Sequence, residues 1–154
     1  MATSNPIDVN FLALDNQFCF ALYSTSLALT KSYKPLLEKI GLTYPQYLVM
    51  LVLWQQDHIL VKDIGELLFL DSGTLTPLLK RMELADLIQR QRDSEDERQV
   101  RIDLTRHGKQ LRNAAKEIPE KILCASGKQA KELQKLRQQL NELRRLLHQN
   151  NDKQ

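Results

Sequence analysis

Residues 61–85 read VKDIGELLFLDSGTLTPLLKRMELA, and this stretch decides the fold. Val61 to Leu68 has the spacing of a short helix, Phe69 to Gly73 breaks it, and a strongly patterned helix runs on to about Ala85. Ile64, Leu68, Leu75, Leu79 and Met82 fall on one buried face, and Gly65 sits where two crossing helices touch. A small residue at the crossing, a short turn and a second helix with polar outer positions make a helix-turn-helix arrangement. Pro77 leaves the start of the second helix open. With Asp71 as the cap, Pro77 lies one turn in and kinks the helix; with Thr74 as the cap, it falls where the N–H is unpaired anyway.

Downstream, Leu87–Arg92 and Val100–Leu104 flank the charged run DSEDER at 93–98. Val100, Ile102 and Leu104 alternate with Arg101 and Asp103 at strand period, so the two segments read as a β-hairpin, a wing. Thr105 caps a further helix, which Pro119 is expected to kink about midway. Gly127 ends it, and Ser126-Gly127-Lys128-Gln129 reads as the capping box of a last helix. Along that helix Leu133, Leu136, Leu140, Leu143 and Leu147 form a narrow seam that needs another helix to cover it. Upstream, Asp15–Lys39 reads as a helix carrying Phe18, Leu22, Leu29, Leu36 and Leu37, bent or restarted at Pro35 and stopped by Gly41. Thr43-Tyr44-Pro45-Gln46 is a capping box for a helix to about Gln55, apolar nearly all round and expected in the middle of the core.

The 154 residues fit one domain, or one domain with an oligomerisation arm. With 42% apolar and 27% charged residues the chain has the composition of a folded protein. Five glycines and five prolines exclude a collagen-like chain and argue against an all-β fold. The longest apolar run, Tyr47–Trp54, is too short for a bilayer span, so no membrane partner is expected. Residues 1–10 show no export signal; a cytoplasmic location follows as the expectation, and with it no permanent structural disulfide. Residues 1–79 carry net charge −3 and residues 80–154 net +6, which points to an anionic partner, nucleic acid first, with a solvated helical surface as the alternative. His58, His107, His148 and the two cysteines have no metal-ligand spacing, and there is no phosphate loop or nucleophile elbow. No metal, no cofactor and no enzyme of those classes is expected.

Two sets of residues carry chemistry. Ser72, Thr74, Thr76, Lys80 and Arg81 supply hydroxyls and cations for DNA phosphates and base edges, and Arg98 at the wing tip suits a minor groove. The alternatives are a helical hairpin used for packing and an Arg98–Asp96 surface ion pair. Cys19 lies in the aromatic part of the chain, where Tyr23, Tyr33, Tyr44 and Tyr47 all fall within 25 residues, and Tyr23 shares its helix face. Tyrosine hydroxyls can hydrogen-bond a thiolate, the reactive form of cysteine. The alternative is a small buried hydrophobe at Cys19, and ordinary helix packing at Cys124.

The segments 70–82, 92–98 and 104–108 resemble the MarR family of winged-helix regulators. More narrowly, 17–23 (QFCFALY), 33–37 (YKPLL) and 42–47 (LTYPQY) resemble its OhrR subfamily, the organic-hydroperoxide repressors, in the two-cysteine branch. The likeness runs from about Asp15 to His148. It implies a mainly α protein with a small β-hairpin wing, a winged helix-turn-helix whose N- and C-terminal helices form a dimerisation domain. The implied division is a flexible stretch at 1–14, dimerisation helices at 15–56 and 105–149, and a DNA-binding region at 57–104. It further implies that Cys19 senses peroxide, that Tyr33 and Tyr44 hold its thiolate with Tyr23 on the adjoining turn, and that Cys124 takes the place of the resolving cysteine. The implied partners are a pseudo-palindromic double-stranded operator, an organic hydroperoxide as inducer and a second copy of the chain. The rival readings are a MarR-type repressor for a non-covalent aromatic ligand, and a thiol peroxidase cycling through a Cys19–Cys124 disulfide.

Overall fold

The structure, a computed structural model, describes residues 10–153 of the chain. Of the flexible stretch expected over 1–14, residues 1–9 lie outside the described residues. The boundary between two compact units falls between Ala115 and Lys116.

In the first unit a short 3-10 turn, Leu14–Asn16, precedes α1 (Phe18–Glu38). The helix therefore starts later than Asp15, because Gln17 is extended and separates turn from helix. Pro35 lies inside α1 without restarting it. Gly41, at φ +70°, closes the helix in a Schellman arrangement: its N–H reaches Glu38 O at 3.1 Å, and the Leu42 N–H reaches Leu37 O at 3.1 Å. α2 (Tyr44–Gln55) opens with the expected box, Thr43 and Gln46 each accepting the other's backbone N–H. Tyr47, Val49, Met50 and Leu53 are buried, but Leu51 is exposed, so α2 has an outer face despite its composition.

β1 (Ile59–Leu60) leads into α3 (Val61–Leu68) and α4 (Ser72–Leu84). The cap is Asp71, whose Oδ1 accepts the Thr74 N–H at 2.8 Å, so Pro77 lies inside α4. The turn is tight because Phe69 takes a left-handed conformation, φ 56°. A Cβ on Gly65 would stand 2.9 Å from Leu70 O, which is why the crossing tolerates only glycine. β2 (Ile88–Arg92) and β3 (Val100–Leu104) form the wing hairpin, with Ile88 opposite Leu104 and Arg92 opposite Val100. The sheet order is β1-β3-β2, all antiparallel. α5 (Arg106–Ala115) is capped by Thr105, whose Oγ1 accepts the Gly108 N–H at 3.0 Å and donates to Asp86 O at 2.6 Å. Leu37, Met50, Leu53, Ile64, Leu75, Leu79, Met82, Ile88 and Ile102 form the core of this unit. By contrast Leu37 is the one buried residue of α1, and Phe18, Leu22, Tyr23 and Leu27 lie exposed.

The second unit holds α6 (Ile118–Ser126) and α7 (Ala130–Asn151). Pro119 does not kink a long helix. It sits in the first turn of a new one, where its missing N–H needs no partner. The last capping box is also displaced: Gln129 and Glu132 form it, while Gly127 at φ 65° ends α6 and Ser126 Oγ donates to Leu123 O at 2.6 Å. On α7, Leu136, Leu140 and Leu147 are exposed and Leu133 and Leu143 half-buried.

Candidate nucleic-acid interface and thiol site

α4 buries Leu75, Leu78, Leu79 and Met82, and this fixes which positions face outward. Ser72, Thr74, Lys80 and Arg81 are exposed and Thr76 is half-buried. Ser72, Thr76 and Lys80 recur every fourth residue and so share one stripe.

The wing tip is built around a buried carboxylate that sequence reasoning did not single out. Asp93 Oδ1 accepts the Glu95 N–H at 2.8 Å and the Asp96 N–H at 3.1 Å, while Oδ2 accepts Arg101 Nε. These two amides, then Arg101, hold the Asp93 carboxyl below the usual range despite its burial. Arg101 also donates to His58 O at 3.2 Å, tying the hairpin to the turn before β1. Asp57 completes that turn: Oδ1 accepts the Leu104 N–H at 2.8 Å, and Oδ2 lies 3.2 Å from Lys109 Nζ. His58 Nδ1 and Asp103 Oδ1 are 2.6 Å apart. The only sequence signal for this network was the Asp93 position itself, an aspartate bonding amides two and three residues on.

Arg98 protrudes from the tip with 91% of its side chain exposed. The surface pair with Asp96 is present, Nε to Oδ1 at 3.0 Å and Nη2 to Oδ2 at 3.1 Å, and the Arg98 bonds hold the Asp96 carboxyl low. Nη1 remains outside this pair, so the contact aims the guanidinium rather than consuming its donors.

The tyrosines form a cluster. Tyr33 and Tyr44 have ring centroids 4.9 Å apart, Tyr47 stands 5.7 Å from Tyr33, and Trp54 stands 6.4 Å from Tyr47. Burial, then the neighbouring Tyr44 and Tyr47, push the Tyr33 hydroxyl up to about 12, so it stays a hydrogen-bond donor. Tyr47, counted among the four clustered tyrosines but given no thiolate contact by the resemblance, is part of the same cluster. A groove of about 450 Å³ adjoins it, lined by Leu27, Lys34, Leu37, Leu42, Tyr44 and Pro45 among others.

Cys19, Tyr23 and Cys124 are all exposed. Tyr23 lies one turn from Cys19 on α1, as expected. Tyr33 does not approach it. Fourteen steps of unbroken helix separate Cys19 from Tyr33, about 21 Å of rise. Cys19 and the Tyr33–Tyr44 pair of the same chain therefore lie far apart, while Tyr23 is beside the thiol. Among the described residues no group of three or more His, Cys, Asp or Glu is placed to hold a metal ion, and no helix is long and apolar enough to cross a membrane.

Comparison with known proteins gives consistent matches. The family described as transcriptional regulator SarA/Rot matches residues 31–118. The organic hydroperoxide resistance transcriptional regulator of Bacillus subtilis is 51% identical over 91% of this chain and 95% of its own length. Reduced AbfR bound to DNA superposes with a TM-score of 0.73 at 36% identity, covering 87% of this chain and 93% of that one. Disulfide-formed AbfR matches with a TM-score of 0.61 at 38% identity, over 84% of this chain and 91% of that one. AbfR is from Staphylococcus epidermidis.

Proposed function

The chain belongs to the MarR-type winged-helix transcriptional regulators, among the organic hydroperoxide resistance regulators, and from that premise we propose that it is a homodimeric DNA-binding repressor switched by oxidation of Cys19. The observation that carries the DNA-binding half is the polar stripe of α4 beside a braced wing that projects Arg98. Ser72, Thr74, Thr76, Lys80 and Arg81 enter a major groove, and Arg98 enters the flanking minor groove, whose negative potential favours arginine. A two-fold dimer repeats this one helical turn away, so the operator is pseudo-palindromic.

Dimerisation uses the 15–56 and 105–149 helices, which supply the exposed apolar side chains of α1 and the leucine seam of α7. It also resolves the separation of Cys19 from its own tyrosines. In an isologous interface residue i meets residue j of the partner and j meets i. Cys19 of one subunit can then face Tyr33 and Tyr44 of the other. Their hydroxyls, held protonated by burial, donate to the thiolate, with Tyr23 alongside.

The redox step runs as follows. The Cys19 thiolate attacks the terminal oxygen of an organic hydroperoxide, the O–O bond breaks, and sulfur keeps that OH as a sulfenic acid while the alkoxide leaves and takes a proton from solvent to become the alcohol. The Cys124 thiol then attacks the sulfenic sulfur, forming the disulfide and releasing water. The peroxide is reduced by two electrons drawn from the two thiols. Disulfide formation shifts the two reading heads out of register with the operator.

The test is operator binding by purified reduced protein, before and after an organic hydroperoxide and again after dithiothreitol. Release by peroxide and rebinding on reduction are expected. Indifference to both reagents favours a reversibly bound aromatic ligand, and peroxide turnover without sequence-specific DNA binding favours a thiol peroxidase.

A further inference from the structure

One carboxylate ties the base of the wing to the last turn of α4. Glu83 Oε1 accepts the Arg90 backbone N–H at 3.2 Å. Its Oε2 accepts Arg90 Nε at 2.7 Å and lies 2.7 Å from Nη2 of the same guanidinium. The Arg90 side-chain bond holds the Glu83 carboxyl below its ordinary range. From Arg90, which pairs with Ile102, β2 and β3 carry the tip outward. Between helix and wing lies a groove of about 270 Å³, lined by Thr76 and Leu79 on α4, by Arg90, and by Arg98, Gln99 and Val100 on the wing side. Glu83 and Arg90 therefore join the two elements that carry the proposed base-reading and minor-groove contacts.

We propose that Glu83 and Arg90 are a positioning pair, a strut that sets the separation of α4 from Arg98, so that operator affinity depends on Glu83 although its carboxylate repels DNA. This rests on the winged-helix reading of α4 and Arg98. Two contacts on one duplex reinforce each other only when the link between them holds them at the span of the two grooves. A loosened link must be ordered on binding, and affinity falls by that cost. Simple electrostatics gives the opposite sign: removing a negative charge from a DNA-facing surface should tighten binding.

The experiment uses the full-length reduced dimer and a duplex that the wild-type protein selects from a random-sequence library. Glu83→Gln should weaken binding to that duplex by about fivefold or more, the size expected for residues coupled in one hydrogen-bonded network. Glu83→Asp keeps the charge but shortens the arm, and it should weaken binding too. Arg98→Ala should cost several-fold less affinity in the Glu83→Gln background than in the wild type, because the strut acts through Arg98. A non-specific duplex, measured in parallel, should lose little. The strut is refuted if Glu83→Gln binds the selected duplex as tightly as wild type or tighter, or if Arg98→Ala costs the same in both backgrounds. A loss shared equally by both duplexes, a general folding defect, also refutes it. Failure of the wild type to select any duplex is a different result and removes the winged-helix reading itself.

Discussion

Replacing Tyr33 and Tyr44 by phenylalanine should slow Cys19 oxidation only when the substitutions lie in the opposite subunit. α1 is continuous from Phe18 to Glu38, so the chain's own Tyr33 is about 21 Å along the helix from Cys19, many times the reach of a hydrogen bond. A hydrogen bond to a charged group is worth about 1.5–3 kcal/mol. Losing one such bond to the thiolate should slow its oxidation by about tenfold or more. The assay uses heterodimers purified through two different tags, all in a Cys124→Ser background, with loss of the Cys19 thiol followed by mass spectrometry. In the first heterodimer one subunit carries Cys19→Ser and the other carries both Phe substitutions. Its single Cys19 faces intact tyrosines and should react at the wild-type rate. In the second, all three substitutions share one subunit. Its single Cys19 faces two phenylalanines and should react at least about tenfold more slowly. The reverse order of rates, or equal rates, would refute the reasoning and leave the tyrosine cluster as packing.

Gly108→Ala should destabilise the fold by about 1–3 kcal/mol through overpacking, because the new Cβ would stand 2.2 Å from Leu87 O; a lowered melting temperature in thermal unfolding checks it. Asp93→Asn should destabilise the wing at neutral pH. The Asp93 carboxyl is held low when folded, so its contribution is present above the ordinary carboxylate range and lost as pH falls; the melting-temperature gap to wild type should close below about pH 4. Arg98→Ala should weaken operator binding and flatten its salt dependence in a titration at several ionic strengths. On a non-reducing gel after one equivalent of organic hydroperoxide, wild type should run as a covalent dimer, and Cys19→Ser and Cys124→Ser as monomers.

The parts of the fold legible in the sequence are those set by local chemistry. The Thr43–Gln46 box, the Gly41 stop and the Thr105 cap each depend on residues a few positions apart, and all three form. The helix-turn-helix and the wing were readable because periodicity changes from helical to alternating between residues 84 and 100. β1 was not, since two residues show no alternation and their pairing depends on β3 some forty positions later. Pro119 misled because a proline that kinks a helix and one that starts a helix look alike in sequence. The Asp57–Leu104 and His58–Asp103 contacts bridge more than forty residues, beyond the reach of any local rule. In the candidate site, residue types were legible but proximity was not. Cys19 and Tyr33 look clustered when counted along the chain, and a continuous helix then holds them apart.

In the proposed switch the chemical state of Cys19 decides whether DNA is held. The most direct measurement takes reduced protein on its selected duplex, adds organic hydroperoxide in sub-stoichiometric steps, and quantifies in each sample both the fraction of Cys19 oxidised, by mass spectrometry, and the fraction of duplex still bound. Bound duplex should fall in step with Cys19 oxidation, return on adding dithiothreitol, and stay constant throughout for Cys19→Ser. Release of Cys19→Ser by the same additions, or full oxidation of wild-type Cys19 with the duplex still bound, would contradict it.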